Sequence, residues 1–180
     1  MFSNMRKFFL FSLAILMSCS FANFAISEDT QETKSNSNTI INLFTGVFDY
    51  RDEVGDDKTN LFGVEHKNSE LYRDTFMGKL LPISGGFITG KNSVYLYTGV
   101  AAQYRMGPIN ISPSFAPGYY NKGDGKNLGS ALEFKSEISL SLDLFEQSQI
   151  GYSYNHMSNN DWGSVNPGTD NQIISFSTKF

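Results

Sequence analysis

The sequence predicts an all-β chain folded as an eight-stranded antiparallel transmembrane (outer-membrane) β-barrel. Three observations predict it. Apolar and polar residues alternate with a period of two in eight successive segments spaced as a meander, the pattern of strands whose two faces meet different surroundings. The first 25 residues read as an export signal. Beyond them no segment reaches the length of continuous apolar sequence that a membrane helix needs, so a membrane-embedded chain has to satisfy its backbone by closing a barrel.

At the N-terminus, Arg6 and Lys7 form a positive region and Phe8 to Met17 an apolar run, with Ala22 and Ala25 as cleavage points and Ser20 at −3 from the first. The run is too short to span a bilayer. Leu16-Met17-Ser18-Cys19 loosely resembles a lipoprotein processing site, but Met17 fits that pattern poorly and a barrel needs no lipid anchor. Cleavage after Cys19 leaves no cysteine, and so no disulfide. Residues 26–38, rich in Ser, Asn, Thr, Glu and Lys, read as a flexible lead-in, and residues 39–180 as the barrel domain.

The strands then follow: Thr39 to Tyr50, Asn60 to Asn68, Met77 to Thr89, Ser93 to Met106, Ile109 to Tyr120, Ala131 to Phe145, Ile150 to Asn159 and Gln172 to Phe180. Arg51 to Lys58 is a charged turn. In the third strand, Pro82 and the pair Gly85-Gly86 either weaken the strand or mark a bend. The sixth is the clearest, with Leu132, Phe134, Ile138, Leu140, Leu142 and Leu144 on one face and Glu133, Lys135, Glu137 and Asp143 on the other. Such a ladder serves a soluble barrel with leucines inside or a membrane barrel with leucines toward lipid. The export signal favours the second, as does Phe180, which ends an alternating strand much as outer-membrane barrels end.

Composition narrows the partners. The net charge of −4 becomes −6 when residues 1–25 leave with Arg6 and Lys7, so nucleic acid is not expected as a partner. No His/Cys/carboxylate cluster has metal-ligand spacing in sequence, and no cofactor is called for.

Chemistry gathers on the last two strands. Ile150, Tyr152, Tyr154, His156 and Ser158 share one parity, so an apolar face runs straight into a histidine and a serine. On the final strand Ile174, Phe176 and Phe180 share a face with Asp170. With periplasmic termini, strand seven runs outward and strand eight returns. The connection 159–169 then lies at the extracellular rim, with His156, Ser158 and Asp170 facing the outer leaflet. The lipid there is lipopolysaccharide, whose lipid A carries ester-linked acyl chains. A nucleophile, a base and an acid on one apolar face suit ester hydrolysis at that surface.

Roughly the last third of the chain resembles the lipid A 3-O-deacylase (PagL) family. The resemblance rests on Pro117-Gly118-Tyr119, Leu128-Gly129, Leu132-Glu133-Phe134-Lys135-Ser136, His156-Met157-Ser158-Asn159, Asn166-Pro167-Gly168, Asp170 and Phe180. It implies an eight-stranded outer-membrane barrel that removes the acyl chain at position 3 of lipid A by a serine esterase mechanism without metal or cofactor. Carried over, Ser158 is the nucleophile, His156 the general base, Asp170 the acid that orients the imidazole and Asn166 an oxyanion-hole contributor. The family's usual acid is Glu; Asp170 is shorter by ~1.5 Å of reach. The implied partners are lipopolysaccharide as substrate and the outer membrane, with a homodimer left open.

Two other functions fit the same outline: a non-catalytic structural or adhesive outer-membrane barrel, and an esterase acting on phospholipid. Other residues read as structural. His66 lacks catalytic company; Glu133, Glu137 and Asp143 are a charged lumen balanced by Lys135 and Arg105; Asn160 is a turn residue. Gly85 to Lys91 nearly matches a phosphate loop, but Asn92 replaces the Ser/Thr and a strand follows, so it reads as a hairpin turn.

Overall fold

Period-two sequence can bury one face only by pairing laterally, and this chain pairs until the sheet meets itself. The computed structural model describes residues 39–52, 56–76 and 78–180. The export signal, Cys19 and the lead-in lie outside the described residues. The strands are β1 (Thr39–Phe48), β2 (Thr59–Asn68), β3 (Arg73–Thr75), β4 (Gly78–Thr89), β5 (Val94–Met106), β6 (Ile109–Asn121), β7 (Leu132–Phe145), β8 (Ser148–Ser158) and β9 (Thr169–Lys179). They run antiparallel in the order β2-β1-β9-β8-β7-β6-β5-β4, and β2 pairs with β4, which closes an eight-stranded barrel without a free edge. No helix forms among the described residues.

The expected strands are all present, with boundaries shifted by one to three residues and one addition. β3 is an extra short strand that pairs only with the start of β4. β9 begins at Thr169 rather than Gln172, because Asp170 and Asn171 pair with His156 and Asn155 across the ladder. At Gly85-Gly86 the strand is neither broken nor bulged: both glycines keep register inside β4, opposite Tyr97 and Leu96. A Cβ on Gly85 would come within 2.8 Å of the Tyr97 hydroxyl, so the glycine makes room for a ring lying along the inner wall. The turn comes just after, where Asn92 takes φ 60°.

The faces sort as a membrane barrel requires. On β7 the leucines 132, 140, 142 and 144 and Ile138 are exposed, whereas Glu133 and Lys135 are buried inside. Leu43, Phe62, Leu96, Ile150, Ile174 and Phe176 extend this apolar belt around the barrel. Leaving such side chains in water forgoes about 1.5–3 kcal/mol each, so the belt calls for lipid.

The lumen changes along its length. Near the rim formed by residues 49–52 and 56–58 and the loops 90–93, 122–131 and 159–168 it is filled by Phe44, Phe48, Leu61, Phe87, Tyr95 and Met157. Below this plug lies a charged layer in which Lys135 contacts Glu137 (3.3 Å) and Glu65 (3.7 Å), and Tyr97 donates to Glu65 (2.8 Å). The opposite half is a polar cavity of about 720 Å³ lined by residues including Asn42, Lys79, Gln103, Asp143 and Gln149. The expected balance of charges holds for Glu137 and, through Arg105, for Asp143. It does not hold for Glu133, whose buried carboxyl oxygens have no hydrogen-bond partner. Lys135 turns the other way, to Glu65 and Glu137.

Candidate active site

The register of the last strands builds the site. His156 stands directly opposite Asp170 on β9 and Ser136 on β7; Ser158 stands opposite Phe134. Alternation turns Met157 and Asn159 into the lumen and leaves His156 and Ser158 on the outer face. There the Nδ1–H of His156 donates to Asp170 Oδ1 at 2.9 Å. With Nδ1 committed to the acid, Nε2 is the nitrogen free to take a proton. The histidine side chain is 48% exposed and the acid 16%.

Ser158 sits one pleat nearer the rim on the same face, half-buried, with no hydrogen bond to His156. General-base contacts are commonly long in an empty site and tighten around substrate. The edge of the imidazole lies over Gly168, where a Cβ would be 2.9 Å from Cε1 and 3.3 Å from Nε2. Gly168 also takes φ +61°, so this position is closed to side chains on two grounds.

The connection 159–168, which follows the serine, is held by its own asparagines. Asn159, fully buried, donates from Nδ2 to the carbonyls of Leu128 (2.7 Å) and Val165 (2.8 Å). Its backbone N–H donates to Asn166 Oδ1 at 3.2 Å, and Asn166 Nδ2 donates to Asp161 at 3.0 Å. Asn160 and Asp161 adopt left-handed φ values of 55° and 59° in the tight turn between. Asn166 is thus a brace of the loop that keeps one amide hydrogen uncommitted.

Several contributors escaped the sequence reading. The Tyr154 hydroxyl donates to Asp170 Oδ1 at 2.5 Å, and Arg51 Nη1 lies 3.4 Å from Asp170 Oδ2. Arg51 Nε donates to the Tyr50 hydroxyl at 3.0 Å, and this bond first, then the charge of Asp170, holds the guanidinium above its ordinary pKa. Parity could have found Tyr154, which precedes His156 by one pleat. Nothing local marks Arg51, which arrives from the first rim loop. On the other side of Ser158, Phe134 stacks on Phe115 (5.9 Å between centroids) and meets Trp162 edge-on (5.3 Å). These rings form an apolar step beside the serine.

The strand behind the acid is fixed from within the lumen. Asn171 donates to Asn155 (2.7 Å), which donates to Glu137 (3.1 Å), and Asn171 Oδ1 accepts from the Asp49 N–H (2.9 Å). Sequence spacing had offered no acidic cluster, but the first rim loop brings the carboxylates of Asp49, Asp52 and Asp57 within 4.8 Å of one another. Asp49 is engaged there by Lys126 at 2.7 Å and by the Thr169 hydroxyl at 3.2 Å.

The family model described as lipid A 3-O-deacylase (PagL) matches residues 48–179. No curated protein matches the chain. Among solved structures, the chain is similar to one titled as the crystal structure of the outer membrane enzyme PagL, with TM-score 0.61 and 14% identity over 78% of this chain and 99% of that one. It is also similar to a de novo designed transmembrane β-barrel (TM-score 0.56, 10% identity, 80% and 96% covered). Neisserial surface protein A is a third (TM-score 0.51, 8% identity, 80% and 98% covered). At these identities the structural likeness concerns the barrel itself.

Proposed function

Since the chain belongs to the lipid A 3-O-deacylase (PagL) family and is a bacterial outer-membrane barrel, we propose that Ser158, His156 and Asp170 form its esterase triad. The observation that carries this reading is the 2.9 Å contact from His156 Nδ1 to Asp170, placed beside Ser158 on the membrane-facing surface at the barrel rim. The loops of that rim face outward, so the site meets lipopolysaccharide in the outer leaflet.

In the proposed reaction His156 Nε2 takes the Ser158 proton as Oγ attacks the ester carbonyl of the 3-O-acyl chain. The uncommitted amide hydrogen of Asn166 supports the oxyanion. Collapse forms an acyl-Ser158 ester, and the imidazolium returns its proton to the departing sugar oxygen. Water, deprotonated by His156, then attacks the acyl-enzyme, releasing the fatty acid and restoring the Ser158 hydroxyl. The Phe134–Trp162 step gives the acyl chain an apolar bed beside the serine, on the side away from Asp170.

Mass spectrometry of lipid A from cells with and without the protein tests this. Loss of one hydroxyacyl chain is expected. Unchanged lipid A with fatty acid released from phospholipid would assign another substrate, and no release from either would leave a structural barrel.

A further inference from the structure

Asp170 is one methylene shorter than the acid usual in the family, yet it meets the imidazole at hydrogen-bond distance. The surroundings explain how. Oδ1 accepts from two donors on β8, His156 Nδ1 at 2.9 Å and the Tyr154 hydroxyl at 2.5 Å. Oδ2 faces the Arg51 guanidinium at 3.4 Å. The Asp170 carbonyl accepts the Tyr50 N–H at 2.9 Å, which ties the first rim loop to β9 at this residue. Tyr50 packs edge-on against Tyr154 at 6.1 Å, and Arg51 lies over both rings at 5.7 and 5.8 Å.

Arg51 alone would draw the short carboxylate toward the loop, away from His156. The Tyr154 hydroxyl opposes that pull, because it stands one pleat from His156 on the same face and binds the same oxygen. We propose that Tyr154 is a positioning residue that holds the Asp170 carboxylate on His156, in place of the reach a longer acid would have. The inference rests on the triad reading above. It assigns Tyr154 no contact with substrate.

The ionisable groups around the imidazole are Asp170 on β9, Tyr154 on β8, and Tyr50 and Arg51 on the first rim loop; β7 presents Ser136. Without the hydroxyl, Asp170 turns toward Arg51 and His156 loses its acid. Tyr154→Phe keeps the ring against Tyr50 and Arg51 and removes one oxygen, so the barrel remains intact and heat-modifiable.

The test has two readouts on the full barrel in detergent. With solubilised lipid A, Tyr154→Phe should lower kcat by about 100-fold at unchanged KM, the scale of a misplaced reacting group. By NMR, the His156 Nδ1–H resonance should lose the downfield position of a proton hydrogen-bonded to a carboxylate as Asp170 leaves. The chain holds two histidines, and His66→Gln assigns the signal. Adding Asp170→Glu to Tyr154→Phe should restore turnover, since the longer acid does not need the tyrosine. Parental kcat and a parental Nδ1–H resonance in Tyr154→Phe would overturn the proposal, as would failure of the double variant to recover. Loss of that resonance in a barrel whose parent leaves lipid A intact would uphold the positioning role and reject the deacylase reading.

Discussion

Gly168→Ala separates catalytic geometry from stability, because a second glycine supplies the control. Gly168 and Gly107 both hold φ +61°. An alanine in the left-handed region costs about 1–2 kcal/mol, so both variants should lower the thermal midpoint of the heat-modifiable barrel similarly. They differ in what the new methyl meets. At Gly107 nothing lies within 4 Å. At Gly168 the methyl would sit 2.9 Å from His156 Cε1 and 3.3 Å from Nε2. Carbon contacts are ordinarily 3.5–4.0 Å, so the imidazole edge has to retreat by about 0.6 Å or more. In the proposed mechanism that edge carries the nitrogen that takes the serine proton, and a displacement of this order costs up to about 100-fold in rate. Turnover of lipid A and thermal midpoints for both variants decide it. Gly107→Ala should keep parental turnover while Gly168→Ala loses it, both assayed at a temperature where the barrels remain folded. Full turnover in Gly168→Ala would refute the placement of the base.

Other variants probe the remaining parts. Asp170→Ala should cut turnover by about 10⁴-fold, by analogy with loss of the acid in a serine-protease triad, while Asp170→Glu should retain activity or raise it. Asn166→Ala should lower kcat by about 10²–10³-fold if its amide supports the oxyanion, measured with the thermal midpoint to separate its bracing of the loop. Lys135→Met removes the cation shared by Glu65 and Glu137, leaving Glu65 to Lys67 (3.3 Å) and Glu137 to the Asn155 amide, and should destabilise the barrel by up to about 3 kcal/mol with turnover preserved at permissive temperature. Unfolding in denaturant, followed by the loss of the fast-migrating band, measures this.

The barrel was legible because its signal is local. Alternation in Leu132 to Leu144 names the strand and its two faces, the export signal turns the leucines toward lipid, and the same parity set His156 and Ser158 together on β8. Asp170 needed one more step, across a turn, and its partnership with His156 depends on a ladder that begins earlier than alternation suggested. Arg51 and Tyr50 were read only as a turn and a strand end, since their contact with Asp170 crosses most of the chain. Glu133 was misread for a related reason: sequence shows which side chains face the lumen but not how they pair around its circumference. Lys135 therefore binds Glu65 from β2, which no spacing on β7 announces.

Incubating purified protein with lipid A, beside Ser158→Ala, and weighing the lipid by mass spectrometry tests the central claim most directly. The parent should remove one hydroxyacyl chain, while Ser158→Ala, still folded and heat-modifiable, should remove none. Equal deacylation by both proteins, or intact lipid A with both, would contradict the account.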